Sequence, residues 1–289
     1  MLFHRVHVEV TNVCGLACSF CPPKRLPSKK MDLLLFEHVL TELEGKTREL
    51  AFHVMGDPLT LSNLSDYLDA AVRHGFAVAL TTSGYYLSRT PVETLFHPAV
   101  KQLNVSLNSY NKNSLDLTFD AYMDAVLAVC DEKLARYPKP FVNLRLWNLD
   151  EACSEAAFNT ELFTRLSRHF GVPPDAAIAA EGAQTFRLAP KVRLAFDRYF
   201  EWPSLQSAEE NDGSCYGLRS HIGILADGTV VPCCLDGDGI INLGNLNETS
   251  LNAILASERA TTIKTGFLKG KAVEALCRKC RYKERFNQE

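Results

Sequence analysis

Apolar runs rich in β-branched residues alternate with segments of helical period about six times between residues 7 and 196, and that alternation leaves few folds open. Residues 32–43, 64–74, 92–96, 121–136 and 155–170 carry apolar side chains at helical spacing, with Gly75 and Gly171 placed to stop two of these helices. Residues 50–55, 76–82, 103–108 and 141–147 read as buried strands, and 192–196 as the last of them. Strand–helix repetition of this kind builds a parallel sheet with right-handed crossovers. The expected fold is therefore α/β, a partial (β/α)6 TIM-like barrel followed by a small C-terminal β-hairpin and helix segment. Functional groups in such folds gather at the carboxyl ends of the strands.

The first strand, His7-Val8-Glu9-Val10, runs directly into Cys14, Cys18 and Cys21, in the order Cys-x-x-x-Cys-x-Phe-Cys. Pro22-Pro23 then prevents a helix from continuing. A [4Fe–4S] cluster takes four cysteine ligands, so a cluster on this loop keeps one iron open to a ligand that is not protein. Zinc fits less well, because structural zinc also takes four ligands and the loop contains no His.

Composition agrees. A chain of 289 residues with 46% hydrophobic content can bury one large core or a large and a small domain. Ten cysteines without an export signal point to metal binding in a reducing compartment rather than to disulfides. Met1-Leu2-Phe3-His4-Arg5 leads straight into the first strand, so a cytoplasmic location is expected. A net charge of −3 supplies no field that would favour nucleic acid or an anionic membrane. No apolar run approaches the roughly 20 residues of a membrane span.

A second cysteine set begins at Cys215. Residues 223–225 and 229–231 flank Asp227-Gly228, the turn pair that best signals a hairpin, which would bring Cys215 and Cys233 together across its base. Leu243-Gly244-Asn245-Leu246, a helix over residues 250–262 and Cys277-Arg278-Lys279-Cys280 follow. Four thiolates in two convergent pairs can complete a metal site, and alone they suit a zinc ribbon as well as a cluster. Cys234 either packs or substitutes for Cys233, while Cys130 and Cys153 read as structural. The chain divides into residues 1–205 and 206–289, with Gly213 and the Asn/Asp/Glu-rich stretch before it as the linker.

Taken together, the two cysteine sets resemble those of the radical S-adenosylmethionine (radical SAM) enzymes that carry a SPASM/twitch extension. The first loop matches the family signature down to Phe20 before the third cysteine. The second set follows the extension's order of cysteine, Asp-Gly hairpin, Pro-Cys, Gly-Asn turn, helix and terminal Cys-x-x-Cys. The resemblance implies that Cys14, Cys18 and Cys21 hold a [4Fe–4S] cluster whose open iron chelates SAM. An electron from that cluster would split SAM into methionine and a 5′-deoxyadenosyl radical, which takes hydrogen from an unactivated C–H bond. It implies a second, auxiliary [4Fe–4S] cluster on Cys215, Cys233, Cys277 and Cys280, as in the one-cluster twitch form, and a low-potential electron donor such as flavodoxin or ferredoxin. SAM contacts are implied at Phe20, Gly56, Asp57, Pro58, Thr82, Ser106 and Asn108. Met55-Gly56-Asp57-Pro58 stands where the family carries Gly-Gly-Glu-Pro, so Met55 and Asp57 are departures, the second with shorter reach. Ser106 and Asn108 would share one strand face at period two.

Arg145 is the candidate catalytic residue, on one strand face with Asn143 and Trp147. An Arg in a central strand is costly unless it meets an anion, and its plain alternative is a structural pairing at the strand end. Trp202-Pro203 is expected to line the barrel mouth or simply to pack, and His53 to be a barrel histidine. The basic run from Arg278 to Arg285 is expected as a solvated tail whose cations raise the cluster potential, its alternative being a surface for an acidic substrate, an RNA phosphate or a flavodoxin-like donor. A cluster ligated wholly by protein has no position left for substrate, so the auxiliary cluster is expected to accept an electron during an oxidation. One alternative is a maturase acting on a peptide, protein or RNA instead of a small molecule. The other is a non-catalytic, metal-stabilised binding protein.

Overall fold

The computed structural model describes residues 2–114, 116–149, 155–173, 185–198, 201–208 and 210–286; Cys153 lies outside them. The expected alternation is present as β1 (Arg5–Val8), α1 (Leu33–Leu43), β2 (Glu49–Phe52), α2 (Leu64–Arg73), β3 (Ala77–Thr82), α3 (Val92–Leu95), β4 (Val100–Ser106), α4 (Phe119–Arg136), β5 (Phe141–Leu149) and α5 (Ala156–Phe170). Strands β6 (Thr185–Ala189), β7 (Val192–Arg198), β8 (His221–Ile224), β9 (Thr229–Val231) and β10 (Gly244–Asn245) follow, then helices α6 (Leu251–Ala256), α7 (Glu258–Leu268) and α8 (Ala275–Arg278). The architecture is the α/β, partial-barrel class. Helix boundaries follow from caps: Asp32 accepts from the Leu35 N–H at the start of α1, and Gly171, at φ +67°, ends α5.

By contacts the chain resolves into two units, one of residues 1–15, 20–78 and 200–289, the other of residues 16–19 and 79–199. In the first unit the strand order is β10-β9-β8-β1-β2. The β8–β9 pair is antiparallel around Asp227-Gly228, as expected, but β8 also lies parallel to β1, from Arg5↔His221 to Val8↔Ile224. That pairing carried no local signal. In the second unit the order is β4-β5-β7-β6, and β3 crosses the boundary between the units.

Three expectations need correction. The strand expected over 103–108 stops at Ser106, where its ladder with β5 ends, and Leu107–Ser109 wind into a 3₁₀ turn; Asn108 therefore does not continue the face of Ser106. The helix expected over 250–262 is two helices, because Ser257 ends α6 and its side chain caps α7 by accepting from the Ala260 N–H. A strand, β6, was missed. It pairs antiparallel with β7 through Pro190-Lys191, and Lys191 takes a positive φ of 57° without the Gly or Asn that usually marks such a turn.

Packing in the first unit centres on Phe36 of α1, whose ring lies 5.6 Å from Phe52 and 5.1 Å from Tyr67. Along β1 the alternation is strict. Val6 and Val8 are fully buried, while Arg5, His7 and Glu9 occupy the other face. Arg5 pairs with Glu49, and the His7 ring lies 6.0 Å edge-on from both His53 and His221. Burial and the neighbouring His53 and His221 hold His7 well below the usual imidazole range, so it is neutral. Glu9 ties two segments: its carboxylate accepts from the Met55 N–H at 3.0 Å and from the Ala226 N–H at 3.1 Å. Among the described residues no helix is long and apolar enough to cross a membrane.

Burial raises the Glu9 carboxyl from 4.5 to about 7, against the two N–H bonds that favour its anion. A carboxyl with a raised folded-state pKa contributes stability that is full below the unfolded value and lost as pH climbs through the folded one. The unfolding free energy of the wild type, measured by urea titration, is therefore expected to fall relative to Glu9→Gln by about 3 kcal/mol between pH 4.5 and 7. Parallel curves for the two proteins would remove Glu9 as the source.

Candidate cluster and cofactor sites

The loop after β1 carries Cys14 half-buried, Cys18 buried and Cys21 exposed. Within the second unit, Asn113 holds the loop's middle. Its Nδ2 donates to Cys18 Sγ at 2.9 Å and to the Ser109 carbonyl at 2.6 Å, while its Oδ1 accepts from the Ala17 N–H at 2.8 Å. The Ser19 N–H adds a bond to the Lys112 carbonyl at 3.1 Å. Only a side-chain amide supplies both donors and an acceptor in this arrangement. An N–H on a thiolate sulfur stabilises it and tunes any cluster it ligates. Asn113 carried no motif signal; it lies 95 residues from Cys18 and meets it only in the fold.

The segment after β2 is seated on the beginning of the same loop. Gly56 has φ +73°, and a Cβ there would overlap the Thr11 carbonyl oxygen and lie 2.7 Å from the Asn12 carbonyl carbon. The Asp57 N–H and the Thr60 hydroxyl donate to the Val13 carbonyl at 2.9 and 3.2 Å. Asp57 is buried, and its side chain accepts from the Leu59 N–H at 3.0 Å, capping the 3₁₀ turn Pro58–Thr60. The Met55 departure has a counterpart: a Cβ on Gly237 would sit 2.5 Å from Met55 Cγ, so the methionine occupies room that this glycine leaves.

Of the other expected contacts, Thr82, Ser106 and Asn108 lie in the second unit and Phe20 in the first. Thr82 Oγ1 accepts from the Gly84 N–H at 3.1 Å at the end of β3. Ser106 stands in register with Arg145, whose guanidinium lies 4.8 Å over the Trp147 ring, a cation–π contact that the shared strand face allows. Two residues earlier in the register, Asn143 Nδ2 donates to Asn104 Oδ1 at 3.0 Å and Arg193 Nε donates to Asn143 Oδ1. Of this polar row across β4, β5 and β7 the sequence showed only Asn143, on one face with Arg145 and Trp147; the contributions of Asn104 and Arg193 were missed. Phe20 is half-buried, and Asn108 is buried within its turn.

Cys215, Cys233, Cys277 and Cys280 line a single cavity in the first unit, with Pro203, Phe267 and Lys283 among its other walls. Burial raises all four thiols, Cys233 well above the usual range, and repulsion from neighbouring cysteines adds to it at Cys233, Cys277 and Cys215. Four buried thiols that resist ionising together suit a cationic centre, which compensates their charge and displaces their protons. Among the described residues no group of His, Cys, Asp or Glu is placed to hold a single metal ion. A cage of four thiols set around a cavity suits a polynuclear cluster, in which each sulfur meets a different iron. Cys234 is not on this wall; it packs on Val54, Leu225 and Val231 beside Met55. Cys130 is fully buried in α4, its thiol pushed up to about 12 by burial.

The surroundings of this cage overturn two expectations. The basic run is not a solvated tail. It forms the 3₁₀ segment Arg281–Phe286, with Lys283 buried and Phe286 packed edge-on against Tyr216 and Tyr282. Nor does the stretch before Gly213 behave as a free linker. Asn211 bonds the Arg278 carbonyl, Glu284 and Lys283, and Asp212 accepts from the Ala272 N–H, because its acids and amides satisfy the cations and backbone of the last turns.

Residues 8–139 match the model of the radical SAM superfamily, and residues 215–281 match the SPASM iron–sulfur cluster-binding domain. The chain belongs to the radical SAM superfamily and carries a C-terminal SPASM domain. The first domain implies SAM and a [4Fe–4S] cluster, the second auxiliary iron–sulfur binding, and both cysteine loops have the residue types for it. The chain is 24% identical to an S-adenosyl-L-methionine-dependent 2-deoxy-scyllo-inosamine dehydrogenase of Niallia circulans, over 41% of this chain and 50% of that protein. It spans about half the length of the curated relatives it matches. Its fold is similar to that of BtrN in complex with AdoMet and 2-DOIA, with a TM-score of 0.61, 18% identity, and coverage of 97% of this chain and 94% of that one. It is also similar to Streptococcus suis SuiB bound to its precursor peptide SuiA, with a TM-score of 0.59, 12% identity, and coverage of 100% and 74%.

Gly56→Ala is expected to cost more than about 2 kcal/mol in thermal unfolding, since it combines a left-handed φ with overlap on backbone, and to weaken SAM binding measured by calorimetry on reconstituted protein. Asn113→Ala is expected to leave folding intact by circular dichroism yet speed iron loss to a chelator several-fold. Equal rates of iron loss would show that the Asn113–Cys18 bond does not matter to retention.

Proposed function

We propose that this chain is a radical SAM enzyme that removes a hydrogen atom from a small molecule and completes an oxidation, with the auxiliary cluster as electron acceptor. The cage of Cys215, Cys233, Cys277 and Cys280 carries this reading: with every ligand position supplied by protein, electron transfer is the use left to the cluster. Similarity to the inosamine dehydrogenase and to BtrN supports the oxidation and the small substrate. Bound SAM and its cluster supply the hydrogen-abstracting chemistry.

The chain's own residues have the following roles in this reading. Cys14, Cys18 and Cys21 hold the SAM-binding cluster, and Phe20 lies against the cofactor. Gly56, Asp57 and Pro58 present backbone and acid to the SAM amino group, while Thr82, Ser106 and Asn108 serve the rest of the nucleoside. Arg145, beside Ser106 and steadied by Trp147, meets an anionic or hydroxyl-rich substrate, and the Asn104–Asn143–Arg193 row offers further donors. Residues 1–205 form the barrel and 206–289 the auxiliary segment. A flavodoxin or ferredoxin supplies the electron, in a cytoplasmic setting. Similarity to SuiB over the whole chain supports a second reading, a maturase acting on a peptide.

Anaerobic reconstitution is expected to give about eight irons per chain, with SAM cleavage under a low-potential reductant. Replacing Cys14, Cys18 and Cys21 with Ala should halve the iron and abolish cleavage. Cleavage that survives those changes would overturn the assignment. A wild-type protein holding about four irons and one zinc would instead sink the electron-acceptor role.

A further inference from the structure

Five cations follow Cys277 in the chain, at Arg278, Lys279, Arg281, Lys283 and Arg285, and they are used very differently. Arg278 pairs with Glu210, Arg281 with Glu284, Lys279 Nζ donates to the Leu205 carbonyl, and Arg285 lies over the Tyr282 ring. Lys283 alone among the five turns inward, at 2% exposure. Its Nζ donates to the carbonyls of Cys277 at 2.9 Å, Arg278 at 3.0 Å and Cys280 at 2.9 Å, and to Asn211 Oδ1 at 3.1 Å. An ammonium has three N–H groups, so four acceptors use all of its donors and none is left for a direct bond to a ligand in the cavity. The same side chain forms part of the cavity wall beside the four cysteines.

These contacts have two consequences. The three carbonyls belong to the end of α8 and the turn after it, where backbone acceptors lack helical partners. Tying them to one point fixes the relative placement of Cys277 and Cys280, the two ligands closest together in the chain. Second, a full positive charge is buried against a site of four thiolates. Reduction adds negative charge to such a centre, so a fixed cation nearby favours the reduced form, and net charge and burial are what set cluster potentials.

We propose that Lys283 is a positioning residue for the auxiliary cluster, fixing the Cys277–Cys280 turn and raising the reduction potential of the cluster held there. The proposal rests on the reading that the four cysteines bind an iron–sulfur cluster, and it makes that cluster the easier one to reduce.

The test uses the full chain with Cys14, Cys18 and Cys21 replaced by Ala, so that only the auxiliary site loads. This parent is compared with versions that add Lys283→Met, Lys283→Gln or Lys283→Arg. Iron content, chelator half-life and the midpoint potential from an EPR-monitored titration are the readouts. Lys283→Met and Lys283→Gln are expected to lose iron several-fold faster and to shift the oxidised-to-reduced ratio at fixed potential at least tenfold toward oxidised, a fall of about 59 mV for a one-electron couple. Lys283→Arg, which keeps the charge, should stay near the parent in potential. If Lys283→Met cannot be loaded while its apo form melts with the parent, the turn-fixing role stands and Lys283→Gln decides the charge. Potentials and half-lives equal to the parent's in both Met and Gln variants overturn the proposal. A parent that takes up no iron overturns instead the cluster reading beneath it.

Discussion

The parallel ladder between Arg5–Val8 and His221–Ile224 is the constraint on which the first unit depends. It makes β1 a central strand, with β2 on one side and the hairpin strand β8 on the other. One strand therefore leads into the loop of Cys14 and its neighbour continues through the hairpin to Cys233. A strand paired on both sides has little freedom to slip, because a one-residue shift would exchange its buried Val6 and Val8 for Arg5 and His7. The position of both cysteine segments inherits that rigidity. Glu9 adds a second tie at the same end, with one oxygen on Met55 and the other on Ala226.

From this frame the two sites are held in different ways. Around Gly56 the fit is steric: backbone lies so close that no Cβ is tolerated, and hydrogen bonds to Val13 lock the approach. Around the auxiliary cage the problem is electrostatic. Four thiols that burial drives toward the neutral form sit beside one buried ammonium. Its positive charge and its grip on the last turn serve the same end, since a well-placed set of thiolates is one that a cationic centre can ionise together.

Much of the architecture was legible because it rests on local rules. The strand–helix alternation, the Asp227-Gly228 hairpin, and the stops at Gly75 and Gly171 each arise from periodicity or turn chemistry within a few residues. Errors fell where the local signal was ambiguous. Asn108 follows an apolar run that looks like more strand, yet the ladder with β5 ends at Ser106. Ser257 is polar within an apparently continuous helix and serves as its break. Lys191 turns a hairpin in a conformation for which lysine is no signal.

By itself the sequence determined the chemistry the chain carries: two cysteine sets, one a ligand short and one complete, on an α/β alternation that directs the first to a strand end. Side-chain type and spacing along the chain suffice for that, because thiolate count and turn residues are local properties. Only the tertiary structure decided which remote groups complete the sites. Asn113 on Cys18, Gly237 beneath Met55, β8 beside β1, and Asn211 on Lys283 are contacts across long separations. Nothing in the local sequence distinguishes Lys283 from its basic neighbours; burial and the carbonyls it meets do.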